Sequence, residues 1–313
     1  MKKKRIPLIT LLSSGVVALL FPGCHPAPQI LPDHPRQAPG VTMRDVTFHS
    51  AALNRNMTYR VYLPVKLAPG QKYPAVYLLH GSGGSYQNWS NFSDVAHYAA
   101  QGLILVMADG ASSYYANAAL KPEDRYEDYL VTDLISDVET RFPAATGRQN
   151  RAIVGVSMGG FAAIKLALAR PDLFIFAGGI SPAIDVPSRR FSWRRWGQSM
   201  RFRTIFGPSG SQSRQSSDPF VLVQSADPAR TPYIYLTAET QEPLLDPIRR
   251  FTSRLHARHF LYEFHTKPGV HDWNEWDAQI PGCFASLVQR VTPPALPTQA
   301  AQIPQSSVRE RLR

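Results

Sequence analysis

Two kinds of apolar pattern alternate along the chain from residue 46 to residue 291. Short continuous apolar runs occupy residues 75–79, 103–107, 151–155, 174–179, 233–237 and 260–264. Runs of this length suit strands covered on both faces, as in a mostly parallel sheet. Between them, residues 94–101, 126–142, 159–170, 245–256 and 273–291 place apolar positions at the helical period. Two earlier segments, 46–50 and 57–62, read as strands around a turn at Asn54-Arg55-Asn56. Strands alternating with helices predict an α/β fold, with helices on both faces of a central sheet. The leading antiparallel pair makes that sheet mixed.

Residues 182–230 break the alternation. They are rich in Ser, Arg and Gly and poor in apolar runs, which predicts an inserted loop or cap region over one edge of the sheet. Arg189, Arg190, Arg194, Arg195, Arg201 and Arg203 have only Asp185 as a nearby acid, and Phe191, Trp193, Trp196 and Phe202 interleave with them. Such a stretch is either a solvated loop or a rim that attracts anionic substrates, cell-wall polymers or membrane headgroups. Its rings could stack on a sugar or an aromatic group.

Composition then narrows the class. With 313 residues, 44% hydrophobic and 18% charged, the chain can bury the core of one large domain. Two cysteines exclude a disulfide scaffold and a cysteine-based zinc or iron–sulfur site. The net charge of +11 invites a nucleic-acid reading. Four of those charges, however, are Lys2, Lys3, Lys4 and Arg5, ahead of an apolar run from Ile6 to Leu20. That layout is a secretory signal, predicted over residues 1–23, and an exported protein meets little nucleic acid. The run is shorter than the ~20 residues of a spanning helix. Gly23-Cys24 resembles the end of a bacterial lipobox, which would make Cys24 the lipidated first residue and a membrane anchor. Ordinary cleavage nearby, giving a soluble periplasmic or secreted product, is the alternative. Residues 24–41 carry Pro26, Pro28, Pro32, Pro35 and Pro39 and are predicted to be a tether. Residues 292–313 read as a disordered tail, which leaves 42–291 as the one folded domain.

The chemistry is carried by Gly155-Val156-Ser157-Met158-Gly159-Gly160, between the run 151–155 and a helical pattern. A serine on a sharp strand-to-helix turn is held in a strained backbone conformation, and glycines two residues to either side give the turn room. Its hydroxyl then sits at a helix N-terminus, where unpaired N–H groups favour developing negative charge. Leu78-Leu79-His80-Gly81-Ser82-Gly83-Gly84 follows an earlier strand, so the Ser82 amide can serve as one oxyanion donor and the Met158 amide as the other. The loop lacks both GxGxxG spacing and the Lys-Ser/Thr of a phosphate loop, which argues against a nucleotide. His80 precedes the serine and is read as holding the loop by hydrogen bonds.

Nine histidines compete to be the base. His271, in Pro268-Gly269-Val270-His271-Asp272-Trp273, lies after the last strand and before the last helix, where a serine hydrolase of this chain order carries its base. His265 is its rival. The acid belongs after the run 233–237, where Glu239, Glu242 and Asp246 are all candidates that periodicity does not rank. Each could equally be a charge favoured at a helix N-terminus.

These stretches, with Tyr59-Arg60-Val61-Tyr62-Leu63-Pro64 and Asp109-Gly110, resemble the esterase D-like branch of the α/β-hydrolases. That branch includes feruloyl and acetylxylan esterases, S-formylglutathione hydrolases and the antigen 85 mycolyltransferases. The resemblance implies the α/β-hydrolase fold, Ser157 as nucleophile, His271 as base, the Ser82 and Met158 amides as oxyanion hole, and no metal or cofactor. It aligns Glu242 with the family's usual aspartate, one methylene shorter. Trp89 and Trp276 are further candidates for substrate contact. The expected function is that of an exported serine carboxylesterase acting on short-acyl or carbohydrate-linked esters. Acyl transfer of the antigen 85 type, and glycan binding by a degenerate hydrolase, are the alternatives.

Overall fold

The computed structural model describes residues 32–291. The predicted signal, Cys24 and the predicted tail lie outside the described residues.

Each of the eight predicted strands forms, and they join in one sheet of order β1-β2-β4-β3-β5-β6-β7-β8. The strands are β1 (Val41–Ser50), β2 (Arg55–Pro64), β3 (Ala75–Leu79), β4 (Ile104–Ala108), β5 (Arg151–Val156), β6 (Phe176–Ile180), β7 (Tyr233–Glu239) and β8 (Tyr262–Lys267). β2 pairs antiparallel with both β1 and β4, and every other pairing is parallel. The β1–β2 turn passes through Asn54 at φ 48°, a left-handed conformation that asparagine tolerates.

The continuous apolar runs split by residue parity between two cores. Ala75, Tyr77 and Leu79 of β3 face one side with Ile104 and Val106 of β4, while Val76, Leu78, Leu105 and Met107 face the other. The first core is covered by the helices Ile135–Arg141, Met158–Ala169 and Leu245–Ala257, and the second by Ala96–Ala99 and Ile280–Val288. A strand buried on both faces has no polar side to show, which is why no alternation marks it. The helix Met158–Ala169 is apolar nearly all round because it is buried nearly all round. Its one ionic residue, Lys165, pairs with Glu127 at 2.5 Å.

Three expectations change. The helix predicted over 273–291 is two, Trp273–Asp277 and Ile280–Val288, because Pro281 lacks an N–H and fits only the first turn of a new helix. The insertion at 182–230, expected as a loop or cap region with no helix placed in it, carries the helices Trp196–Phe206 and Pro219–Ser225. The first buries Phe202 and Phe206 edge-on against Tyr114 at 5.6 Å, and Phe206 also meets Phe161. Finally, residues 33–40 of the predicted tether are docked on the domain. Asp33 and Asp45 bracket the buried guanidinium of Arg60 at 2.6 and 2.7 Å, and Arg36 pairs with Asp94 and Asp277.

Candidate active site

β5 turns directly into the helix Met158–Ala169, and Ser157 occupies the corner with φ 53° and ψ −110°. A non-glycine residue held there costs on the order of 1–3 kcal/mol, so its surroundings must impose it. They do so through the Ser157 amide, which donates to the Ile180 carbonyl at 2.9 Å, and the Ser157 carbonyl, which accepts from Ala183 at 3.0 Å. The flanking glycines answer to close approach. A Cβ on Gly155 would lie 2.2 Å from the carbonyl carbon of Gly159, and one on Gly159 would lie 2.3 Å from the Leu79 carbonyl oxygen. Both obstacles are backbone, which cannot swing aside.

The loop after β8 brings His271 to this corner. His271 Nε2 lies 2.9 Å from Ser157 Oγ, and Nδ1 lies 2.5 Å from Glu242 Oε2. The other Glu242 oxygen accepts the Glu239 amide at 3.0 Å. With a carboxylate at Nδ1, that nitrogen carries the proton and Nε2 is left to accept from the serine. Asp272 is used locally, accepting the amides of Asn274 and Glu275 as the cap of the next helix. Burial of Glu242 opposes its ionisation, but the hydrogen bonds of His271 and Glu239 outweigh burial and hold its carboxyl below the usual range.

Of the three candidate acids, Glu242 is thus the one against His271. Asp246 is exposed in the first turn of Leu245–Ala257. Glu239 is buried and takes hydrogen bonds from Ser181 Oγ and Gln279 Nε2. Burial, with the neighbouring Glu242 charge, pushes its carboxyl up to about 7. Glu239, Glu242 and His271 are also the one set of potential metal ligands that converges among the described residues. Their donor atoms already engage one another, Ser181 and Gln279, so the set is satisfied internally. His265 pairs with Glu263 instead.

Residues 81–84 line the same cleft as the serine, and a Cβ on Gly81 would lie 3.6 Å from the Ser157 Cβ. His80 fixes this loop as a buried neutral imidazole. Its Nδ1–H donates to the Gly81 carbonyl at 2.7 Å, and its Nε2 accepts the Gly110 amide at 3.0 Å, a role open only to the unprotonated ring. Burial keeps its pKa below the ordinary histidine value. Two supports escaped the sequence reading. The Tyr115 hydroxyl accepts the His80 amide, and Ser112 Oγ accepts that of Gly83. Met158 begins its helix, so its amide has no intrahelical acceptor.

The resulting cleft, about 510 Å³, is lined by Ser82, Asn88, Phe92, Trp273 and Trp276 around Ser157 and His271. Trp276 lies edge-on to the His271 ring at 4.8 Å. Trp89, expected at the substrate, is absent from the lining: it is buried beneath Trp273, which it meets edge-on at 5.6 Å. The half-buried Trp273 and Phe92 line the cleft instead, because the short helix Asn88–Phe92 turns Trp89 toward the core.

The family described as Putative esterase matches residues 50–287. The chain belongs to this family. Among related proteins, an acetyl esterase of Caldicellulosiruptor saccharolyticus is 23% identical over 259 residues, covering 78% of this chain and 97% of that protein. Among solved structures, the Staphylococcus aureus fluorophosphonate-binding serine hydrolase FphF superposes with a TM-score of 0.70 at 23% identity, covering 79% of this chain and 98% of that one. A ferulic acid esterase superposes with a TM-score of 0.68 at 21% identity, covering 80% and 98%. The esterase thus has the α/β-hydrolase fold, and its serine corner, histidine loop and acid loop all fall at the carboxyl ends of parallel strands.

Proposed function

We propose that this esterase is an exported serine carboxylesterase that works through an acyl-enzyme. The observation that carries the reading is the continuous relay from Ser157 Oγ through His271 to Glu242 at the floor of an open cleft. Ser157 Oγ attacks the ester carbonyl carbon while His271 Nε2 takes its proton. Glu242 stabilises the imidazolium and fixes the tautomer. The carbonyl oxygen, now negative, is received by the amides of Ser82 and Met158. Collapse breaks the bond to the alcohol, which leaves with the proton from His271. Water then gives a proton to His271, attacks the acyl carbon and releases the acid, returning Ser157 to its hydroxyl form.

The rings of Phe92, Trp273 and Trp276 give the cleft an apolar wall. This suits a short acyl group or a feruloyl-like ring on a carbohydrate alcohol, in keeping with the acetyl esterase relative and the ferulic acid esterase neighbour. Export rests on Lys2–Lys4 and Arg5 before the apolar run, with lipidation assigned to Cys24.

Hydrolysis of p-nitrophenyl acetate tests the core of this proposal. Ser157→Ala is expected to lower kcat by about 10³-fold or more and to abolish labelling by a fluorophosphonate. Wild-type turnover by Ser157→Ala would overturn it.

A further inference from the structure

The helix Trp196–Phe206 buries Phe202, Ile205 and Phe206 and turns an apolar stripe the other way. Phe191, Trp193, Trp196 and Met200 are 43%, 78%, 50% and 37% exposed. Their rings form a preassembled cluster: Trp193 stacks on Trp196 at 5.3 Å, and Phe191 packs edge-on to both at 5.1 and 5.6 Å. Isolated exposed apolar residues are ordinary, but a contiguous aromatic patch marks an interaction surface.

Arginine dominates the surrounding charge, with Asp185 and Asp218 standing at the two ends of the stretch. Residues 186–217 contain seven arginines and no acid. Arg189 is used by Asp185, and Arg214 is buried against the carbonyls of Pro187 and Gly207. Arg190, Arg194, Arg195, Arg201 and Arg203 are exposed, and among the described residues none of them forms an ion pair. At 100° per residue, Arg201 and Arg203 flank the Trp196–Met200 stripe on opposite sides. Beside it opens a cavity of about 320 Å³ lined in part by Arg190, Phe191 and Arg203. It shares no residue with the Ser157 cleft.

We infer that this face docks the protein on an anionic lipid surface. Trp193, Trp196 and Phe191 enter the boundary between headgroups and acyl chains, and the free arginines meet lipid phosphates. An apolar face bordered by arginines is the arrangement of an interfacial helix, and indole rings prefer that depth. A glycan fits less well. Sugar hydroxyls need acceptors as well as donors, and the two carboxylates bordering this stretch are already engaged, Asp185 by Arg189 and Asp218 by Ser188 Oγ and the Phe220 amide.

The test uses the full chain carrying Cys24→Ser, so that no acyl group is attached there, with vesicles of phosphatidylglycerol or of phosphatidylcholine. Two variants are compared in that background, Trp193→Ala/Trp196→Ala and Arg194→Ala/Arg195→Ala/Arg201→Ala, so any N-terminal contribution is common to all. The parent is expected to co-sediment with phosphatidylglycerol and not with phosphatidylcholine, more weakly as salt rises, and its tryptophan emission shifts to the blue. Each variant should lose on the order of tenfold or more in partitioning. Hydrolysis of p-nitrophenyl acetate without vesicles should stay within about twofold, showing that the fold is intact. Equal partitioning of parent and variants, or equal binding to both lipids, would overturn the inference. So would loss of retention on polygalacturonate with vesicle binding unchanged, which would assign the patch to an acidic polysaccharide.

Discussion

Three carboxylates within eight residues of one another, Glu239, Glu242 and Asp246, meet three different fates. Their separation is decided by where β7 ends: Glu239 still belongs to the strand and stays under the sheet edge, Glu242 is on the turn, and Asp246 is already helical. Spacing along the chain carries none of this, so periodicity left the acid open and only the family resemblance pointed to Glu242, whereas Ser157 and His271 stood out through their surroundings. Glu242→Gln is expected to lower kcat by about 10³–10⁴-fold with KM little changed, whereas Asp246→Asn should stay within about twofold. Steady-state kinetics on p-nitrophenyl acetate reads both, and the reverse order would move the role to Asp246. Glu239 makes a separate prediction through its raised pKa of about 7. A carboxyl raised by folding stabilises the native state fully below the ordinary glutamate value, and that contribution is lost as pH rises through 7. Glu239→Gln imitates the protonated form. Wild type should therefore lose on the order of 2–3 kcal/mol relative to this variant between pH 5 and pH 8, measured by denaturant melts at each pH. Parallel pH profiles would show that Glu239 is ionised in the fold.

At the scale of elements, legibility followed the number of covered faces. Strands sandwiched between two helical layers must be apolar throughout, and β3 has the same bounds in sequence and structure. The edge strand β1 exposes alternate residues such as Thr42 and Arg44, so the apolar pattern marked it only from Val46, five residues after its start at Val41. The helix Trp196–Phe206 was hidden for a related reason. Only one narrow face, Phe202, Ile205 and Phe206, is buried, while arginines and outward-turned aromatics fill the rest and erase the usual periodicity. A helix whose apolar residues lie on two opposite sides has no single hydrophobic direction. That property concealed the element in the sequence, and it is also what leaves a surface free for a partner. The π-helical turn Tyr129–Leu134 likewise fell inside a segment read as one regular helix, because one extra residue per turn leaves the apolar spacing almost unchanged.

Across the whole molecule, the first described residues are tied to the domain mainly by polar contacts, with Ala38 alone of them in the apolar core. Proline content marked residues 24–41 as a tether, yet Asp33 reaches Arg60, which is itself buried in β2 and also held by Asp45 and by Ser90 Oγ at 2.9 Å. A guanidinium out of water needs its carboxylates more than they need it, since each carboxylate keeps about a third of its surface exposed. The asymmetry is testable. Asp33→Ala/Asp45→Ala leaves Arg60 buried with Ser90 Oγ and the Tyr86 ring face but no carboxylate and should cost about 2–4 kcal/mol, whereas Arg60→Met returns both acids to solvent and fills the same space with apolar volume, costing less. Denaturant melts of the two variants against wild type decide between them. If Arg60→Met proved the more damaging, the guanidinium would be contributing net attraction to the segment 33–40. Docking of that segment would then rest on the ion pairs themselves rather than on the need to satisfy a charge already buried.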